Sequence, residues 1–414
     1  HELRINALEI ENGNRLKVRP VLTERLDSLD EQGSQSTPQV DRLTLMRGIA
    51  AYDGVVACSL NPMHRILFID AGTGKTLGSA FVEDPRGLTY DREGRLWALS
   101  GKQVVRFAGS RKPGQAAGPY LIVSTGLEDP IALALDADGN IYISDHGNSH
   151  QVKVFSPKGK FLRAIGRPGK PKAGPYDRLH MNHPAGIAVD SQNQLWVTEH
   201  DSAPKRVSVW SREGEFIRAF YGPGKYGGGG QLDAHDSSRF YYADEGRGTL
   251  EFKLDWEQGS AELVSVLYRR DPDGVEFPFR SAAPETAIYR KTGRGPLGKT
   301  QRYFTNCFNT NPTQGHNTAV VFIERDGVAH PAVIMGMAHD WDLLKTGPFR
   351  AMWPEGADPD GDKWRGDGEN QALFIWSDLN DDGGPQPGEM RLHHTPVSGV
   401  TVMQDLSFCC LLYT

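Results

Sequence analysis

Seven residues in the last tenth of the chain carry the sharpest chemical pattern: Asp378, Asn380, Asp382, Gly383, Gly384, Gln386 and Glu389. Oxygen-bearing side chains alternate at 378, 380 and 382, a glycine follows, and a glutamate closes the run at 389. This spacing fits positions 1, 3, 5, 6 and 12 of a calcium loop of about twelve residues. Calcium takes roughly six to eight hard oxygens. Alternate side chains would point inward, Gly383 would permit the sharp turn, and Glu389 would supply two oxygens. Gly384 would add its carbonyl, and Gln386 would act directly or through water. The competing reading is an acidic hairpin turn with no metal.

A second constellation consists of acids and histidines at matching places. Asp145-His146 follows Ile-Tyr-Ile-Ser, Glu199-His200 follows Leu-Trp-Val-Thr, and Asp244-Glu245 follows Tyr241-Tyr242-Ala243. Such groups at one end of neighbouring modules would converge on zinc or another divalent metal, or on a polar ligand. The alternative is that each acid orders its own loop by accepting backbone hydrogen bonds. Other catalytic signatures are missing. There is no Gly-x-Ser-x-Gly or His-Glu-x-x-His, and Gly72-Thr-Gly-Lys-Thr76 lacks the full phosphate-loop spacing. The run Gly227 to Gly230 is not followed by a helical pattern and reads as a loop.

The elements that must position these groups are short strands. Residues 129–166 give an apolar run (Ile131 to Leu135), a turn (Asp136, Asp138, Gly139, Asn140) and a second run (Ile141 to Ser144). The strand Gln151 to Phe155, a Ser-Pro-Lys-Gly turn and a last strand to Ile165 complete the module. Brief runs of β-formers between Gly, Asp and Asn clusters are the strand and hairpin signal. The pattern returns at 84–108 and 183–222, and more weakly at 47–80 and 231–256. Its anchors Gly48, Gly87, Ala132 and Gly186 lie roughly 40 to 55 residues apart, a propeller-blade period. No window keeps a 3.6-residue apolar period over three turns, so little helix is expected.

The recurring Pro-x-Gly-Ile/Leu-Ala-x-Asp, Gly-x-Leu/Ile-Tyr/Trp-Val-x-Asp and Phe-x-x-x-Gly elements resemble the NHL repeat. The resemblance covers about half the chain, most closely at 129–166. It implies an all-β fold, a β-propeller of NHL-like four-stranded blades, six or seven in number. It does not choose among lyases, RNA binders and interaction modules. His150 occupies the repeat's usual Arg or His slot, which implies a structural role. In amidating-lyase relatives zinc-binding histidines would fall at Arg86, Ile131 and Ala185, and none of these binds zinc. His183 precedes Pro184 and does not restore the pattern. A gluconolactonase-like hydrolase shows no matching opening motif. The 378–389 loop resembles the EF-hand-like loops inserted in secreted β proteins, since Ala372 to Ser377 reads as a strand where a helix would stand. The resemblance as a whole is to large bacterial proteins of secreted type, which implies an extracellular or periplasmic setting.

The remaining bounds are broad. A net charge of -6 with a pI near 6.1 argues against a nucleic-acid partner. Four cysteines (Cys58, Cys307, Cys409, Cys410) do not make a disulfide framework. No run of eighteen apolar residues exists, so no membrane span is expected. Residues 1–45 read as a leader with a strand pair (Leu3 to Ile10, Arg15 to Leu22) and a polar linker. Residues 46–414 read as the propeller, with inserted loops at 271–370 and the calcium-type loop at 378–389. Strands of a sixth blade are expected at Gln301 to Asn306, Thr318 to Glu324 and Pro331 to Met335. Val400 to Phe408 reads as the opening of another blade. Ring closure falls either to the N-terminal strands or to chain beyond this sequence, the second being the expectation, which leaves the ring incomplete. The function expected is a non-catalytic module for an unidentified protein or carbohydrate ligand, recognised through loops such as Gly222 to Gly230 and 271–370. The alternative is a metal-dependent lyase or hydrolase working in the central channel.

Overall fold

A strand buried on both faces needs a continuous apolar run, and the chain supplies one per repeat. Leu96–Ser100 and Ile141–Asp145 are buried almost throughout, whereas the outer strand Phe161–Ile165 is largely exposed. The computed structural model describes residues 2–11, 15–25, 46–108, 118–199, 201–222, 230–244, 247–270, 274–275, 277–278, 283–292, 299–306, 318–362, 370–396 and 398–411. At 2–11, 15–25, 244, 398–399 and 410–411 it describes the backbone alone. The fold is all-β and of propeller type, with one helical turn, Gly347–Arg350, and short 3₁₀ turns among the described residues.

Two compact units divide the chain. The first comprises His1–Lys170, Arg178–His200 and Arg206–Phe220; the second comprises Pro171–Asp177, Asp201–Lys205 and Tyr221–Thr414. The first unit carries four antiparallel four-stranded sheets, each a simple meander. Blade 1 runs Met46–Tyr52, Val55–Leu60, Arg65–Asp70 and Thr76–Phe81. Blade 2 runs Pro85–Tyr90, Leu96–Ser100, Gln103–Arg106 and Tyr120–Val123. Blade 3 runs Pro130–Leu135, Ile141–Asp145, Gln151–Phe155 and Phe161–Ile165, within a residue of the strands read from the sequence. Blade 4 runs Pro184–Val189, Leu195–Glu199, Arg206–Trp210 and Phe216–Tyr221.

The core lies between successive blades. Ile66 and Phe68 of blade 1 meet Leu88 and Leu96 of blade 2. Trp97 and Leu99 meet Leu133 and Ile143 of blade 3. Tyr142 and Val154 meet Leu195 and Trp210 of blade 4. First strands approach one another by their backbones, and this explains two of the repeat's small anchors. A Cβ at Gly48 would lie 2.4 Å from the Arg86 carbonyl oxygen, and one at Gly87 would lie 2.7 Å from the Ala132 Cα.

In the second unit, blade 5 consists of Gly230–Leu232, Arg239–Asp244, Gly248–Asp255 and Ser260–Arg269. Gly174–Pro175 adds beside the last of these. Blade 6 is larger than the three strands expected. It orders Thr286–Thr292, Lys299–Thr305, Thr318–Arg325, Val328–Met337, Ala372–Ser377 and Met390–His394 in one sheet. The strands flanking the 378–389 loop thus extend this sheet. Ser398–Val402 and Phe408–Leu411 form a separate hairpin, and Val400 and Val402 pack on Ile288 and Met335. The N-terminal strands Glu2–Glu11 and Arg15–Arg25 pair with each other in a sheet of their own.

Candidate functional site

Each blade of the first unit has two ends, distinguished by register. In blade 3, Pro130 pairs with Asp145 at one end and Leu135 with Ile141 at the other. Asp145 and Glu199 lie at the first of these ends, and each reaches back to the residues that lead into its own blade. The Asp145 carboxylate accepts the backbone N–H groups of Glu128 (3.0 Å) and Asp129 (2.6 Å) and pairs with Lys153 Nζ at 2.6 Å. The Glu199 carboxylate accepts the Asn182 N–H (2.7 Å), Arg206 Nε (2.8 Å) and the Ser208 hydroxyl (2.6 Å). Burial pushes the Glu199 carboxyl up from its ordinary range, and Arg206 opposes that shift. Both acids order their own loops.

His146 lies in a cluster with His150 and His183, with ring centroids 6.5, 5.3 and 4.4 Å apart pairwise. His150 Nδ1 accepts the His183 backbone N–H at 3.2 Å. A neutral imidazole accepting at Nδ1 carries its proton on Nε2, so His150 offers no further lone pair. The same device occurs two blades earlier, in blade 1, where His64 Nδ1 accepts the Asp84 N–H at 3.2 Å. Both histidines precede a third strand in a left-handed conformation, φ 52° at His64 and 48° at His150. They fasten blade 1 to the start of blade 2 and blade 3 to the start of blade 4. His200 and Glu245 lie outside the described residues, as does the side chain of Asp244. Among the described residues no group of three or more His, Cys, Asp or Glu is gathered to hold a metal.

The opposite end carries a second repeated device. Asp91, Asp136 and Asp190 end the first strands of blades 2, 3 and 4 and cap the turns that follow. The Asp91 Oδ1 accepts the N–H groups of Glu93 and Arg95, and Asp91 Oδ2 accepts Trp97 Nε1 at 2.8 Å. Asp190 takes Gln192, Gln194 and Trp196 Nε1 (2.9 Å) in the same way, and Asp136 takes Asp138 and Asn140. Trp196 and the backbone donors hold the Asp190 carboxyl below the usual range. The third turn residue has positive φ each time, at Gly94, Gly139 and Asn193.

These three turns border a cavity of about 420 Å³, walled also by Tyr90, Trp97 and Arg106. It lies at the far end of the strands from Asp145 and Glu199. The guanidinium of Arg106 sits 5.2 Å above the Trp97 ring. Asp91, Trp97, Asp190 and Trp196 are strand and turn residues of the repeat copies at 84–108 and 183–222. The six-residue spacing from Asp to aromatic was the available signal for this rim; nothing comparable marks Arg106.

In the second unit, the 378–389 loop joins two strands of blade 6. Asn380 Nδ2 donates to Asp382 Oδ2 (3.1 Å) and Gln386 Oε1 (3.2 Å), and Gln386 Nε2 donates to Asp382 Oδ2 at 2.6 Å. Asp378 Oδ2 accepts the Gly383 N–H, while its buried Oδ1 has no hydrogen-bond partner. Gly383 adopts φ 70°, and the Gly384 N–H donates to Asp382 Oδ1. Glu389 turns toward protein donors: its Oε1 accepts the N–H groups of Leu379 and Asn380, and its Oε2 accepts Trp376 Nε1 at 3.3 Å. Of the loops expected to recognise a partner, 223–229 and large parts of 271–370 lie outside the described residues.

Fold and site together define an all-β, propeller-type protein with a polar cavity at the turn end of its first unit. Residues 127–155 match the model of the NHL repeat. No curated protein matches the chain. Among solved structures it is similar to virginiamycin B lyase from Staphylococcus aureus, at 15% identity over 70% of this chain and 84% of that one, with a TM-score of 0.34. It is also similar to a chain of a nidogen/laminin complex, at 15% identity over 63% of this chain and 89% of that one, TM-score 0.39. A gluconolactonase from Xanthomonas campestris aligns at 17% identity over 69% of this chain and 84% of that one, TM-score 0.33. No helix among the described residues is long and apolar enough to cross a membrane.

Proposed function

We propose that this protein is a non-catalytic binding module whose ligand sits at the turn end of blades 2 to 4. The cavity of about 420 Å³ carries the proposal. Its volume falls within the roughly 300–1,000 Å³ typical of small-molecule sites. Its rim residues are locked by backbone and indole hydrogen bonds, which is the preorganisation that binding requires. The test is to close the cavity. Ala137→Trp places an indole on an exposed turn position of its lining. Full-length protein with this substitution should keep its circular dichroism and lose capture of small molecules and glycans from a diverse library. Undiminished capture would move the ligand elsewhere.

The second element of the reading is a calcium site at 378–389 with a structural role. Two features support it: the buried, unpartnered Asp378 Oδ1 and the convergence of the Asn380, Asp382 and Gln386 side chains. Asp378, Asn380, Asp382, the Gly384 carbonyl and Gln386 would hold the ion. Glu389 would join by using the remaining lone pairs of its oxygens or by exchanging its N–H donors. Bound calcium would supply charge that pins the loop, and it suits a millimolar-calcium setting outside the cytoplasm. The enzymatic alternative, a metal-dependent lyase or hydrolase, needs a metal among the channel acids and histidines. The hydrogen bonding of Asp145, Glu199 and His150 favours the binding module over it.

A further inference from the structure

We propose that the cavity of the first unit selects a small hydroxylated ligand bearing an oxyanion, a carboxylate or a phosphate, and that Arg106 holds the oxyanion. The proposal rests on the cavity being the binding site and adds the chemical class of what enters it.

The charges around the cavity are unevenly matched. The acids around the cavity are already engaged. Asp91 takes Trp97 and Arg95, and Glu93 takes the other arm of Arg95 at 2.6 Å. Asp136 Oδ1 and Asp190 Oδ1 accept turn N–H groups, their Oδ2 atoms accept Asn140 Nδ2 and Trp196 Nε1, and Asp138 pairs with Arg212. Arg106 differs. Among the described residues no carboxylate lies within ion-pair distance of it, and its Nε is buried without a hydrogen-bond partner. Its guanidinium is braced by the Trp97 ring 5.2 Å below, so its direction is fixed before any ligand arrives.

A planar guanidinium presents paired donors that match the two oxygens of a carboxylate or phosphate. Desolvation of such a group is compensated when an oxyanion takes its N–H donors. The five rim carboxylates would repel a bare anion. They keep spare acceptor lone pairs, however, and ligand hydroxyls can donate to those. The combination selects a polyol with one anionic end. A neutral sugar would leave Arg106 unmatched, and an anion without hydroxyls would face acids it cannot satisfy.

The test uses full-length protein and isothermal titration with glucuronate, glucose 6-phosphate and glucose. One of the two anions should bind at least about tenfold more tightly than glucose, and Arg106→Gln should remove that advantage. Preference for glucuronate assigns the group as a carboxylate, and preference for glucose 6-phosphate as a phosphate. Arg106→Lys keeps the charge and loses the fork, and should fall between wild type and Arg106→Gln; it also serves if Arg106→Gln does not fold. Equal binding of glucose and the anions, unchanged in both Arg106 variants, would overturn the oxyanion assignment while leaving the cavity as the site. Failure of all three probes to bind overturns the proposal. The cavity itself is judged separately, by whether Ala137→Trp abolishes capture from the wider library.

Discussion

Glu285 leads into the first strand of blade 6, half-buried, with its backbone N–H donating to the Thr305 carbonyl at 3.1 Å. Its carboxyl has no hydrogen-bond partner among the described residues, and burial pushes its pKa up to about 7. The folded value lies above the ordinary carboxylate value of about 4.3, so the protonated form is the one folding favours. The stability it contributes is fully present below the unfolded value and is lost as the pH rises through about 7. Thermal unfolding of the second unit should therefore occur at lower temperature at pH 8 than at pH 5, and Glu285→Gln should remove that difference; an unchanged profile in the variant would rule Glu285 out as its source. No spacing in the sequence marks this residue, because the cause is burial and burial is a property of the assembled blade. Asp145 and Glu199 teach the converse. Their types and places invited a ligand, but their partners are N–H groups 16 to 17 residues back in the chain. The chain written out does not show that contact. The option that each acid orders its own loop is what their hydrogen bonds describe.

At the scale of elements the repeat was the more legible level. Strand placement in blade 3 follows directly from alternating β-formers and Asp-Gly turns, since each strand's burial pattern is written in its own residues. The anchor glycines were also visible, and the structure supplies their cause. A side chain at Gly87 would collide with backbone, the Ala132 Cα at 2.7 Å and the Ile131 carbonyl oxygen at 2.9 Å. Gly87→Val should accordingly destabilise the first unit by at least the roughly 1–3 kcal/mol typical of overpacking. Urea unfolding followed by tryptophan fluorescence would measure the loss, and a midpoint equal to wild type would refute the close approach. Less legible was where strands join when the repeat pattern decays. Ala372–Ser377 and Met390–His394 extend blade 6, and Gly174–Pro175 joins blade 5 from a linker between blades 3 and 4. Two-residue strands and inserted loops carry no periodicity of their own, so tertiary pairing decides them.

For the whole molecule, two compact units imply two responses to a ligand. Calcium at 378–389 should stabilise the second unit alone, by about 2.7 kcal/mol at a free concentration of about 100 times Kd. Calorimetry should show one unfolding component shifting upward with calcium while the other stays in place. Asp378→Ala combined with Glu389→Ala should abolish both the shift and the heat of binding; binding that persists in that double variant would remove the loop from the account. The division into units was not visible in a sequence whose repeats run on from one to the next. The direction in which the blades face is not written in the sequence either, because acids stand at both ends of the strands. Hydrogen–deuterium exchange on full-length protein, with and without a captured ligand, addresses that point most directly. Slowed exchange is expected at residues 91–97, 135–140 and 189–194, the three turns around the cavity, with 145–150 and 182–187 unchanged. Protection confined to 145–150 and 182–187 would place the ligand at the opposite end of the blades and contradict that expectation.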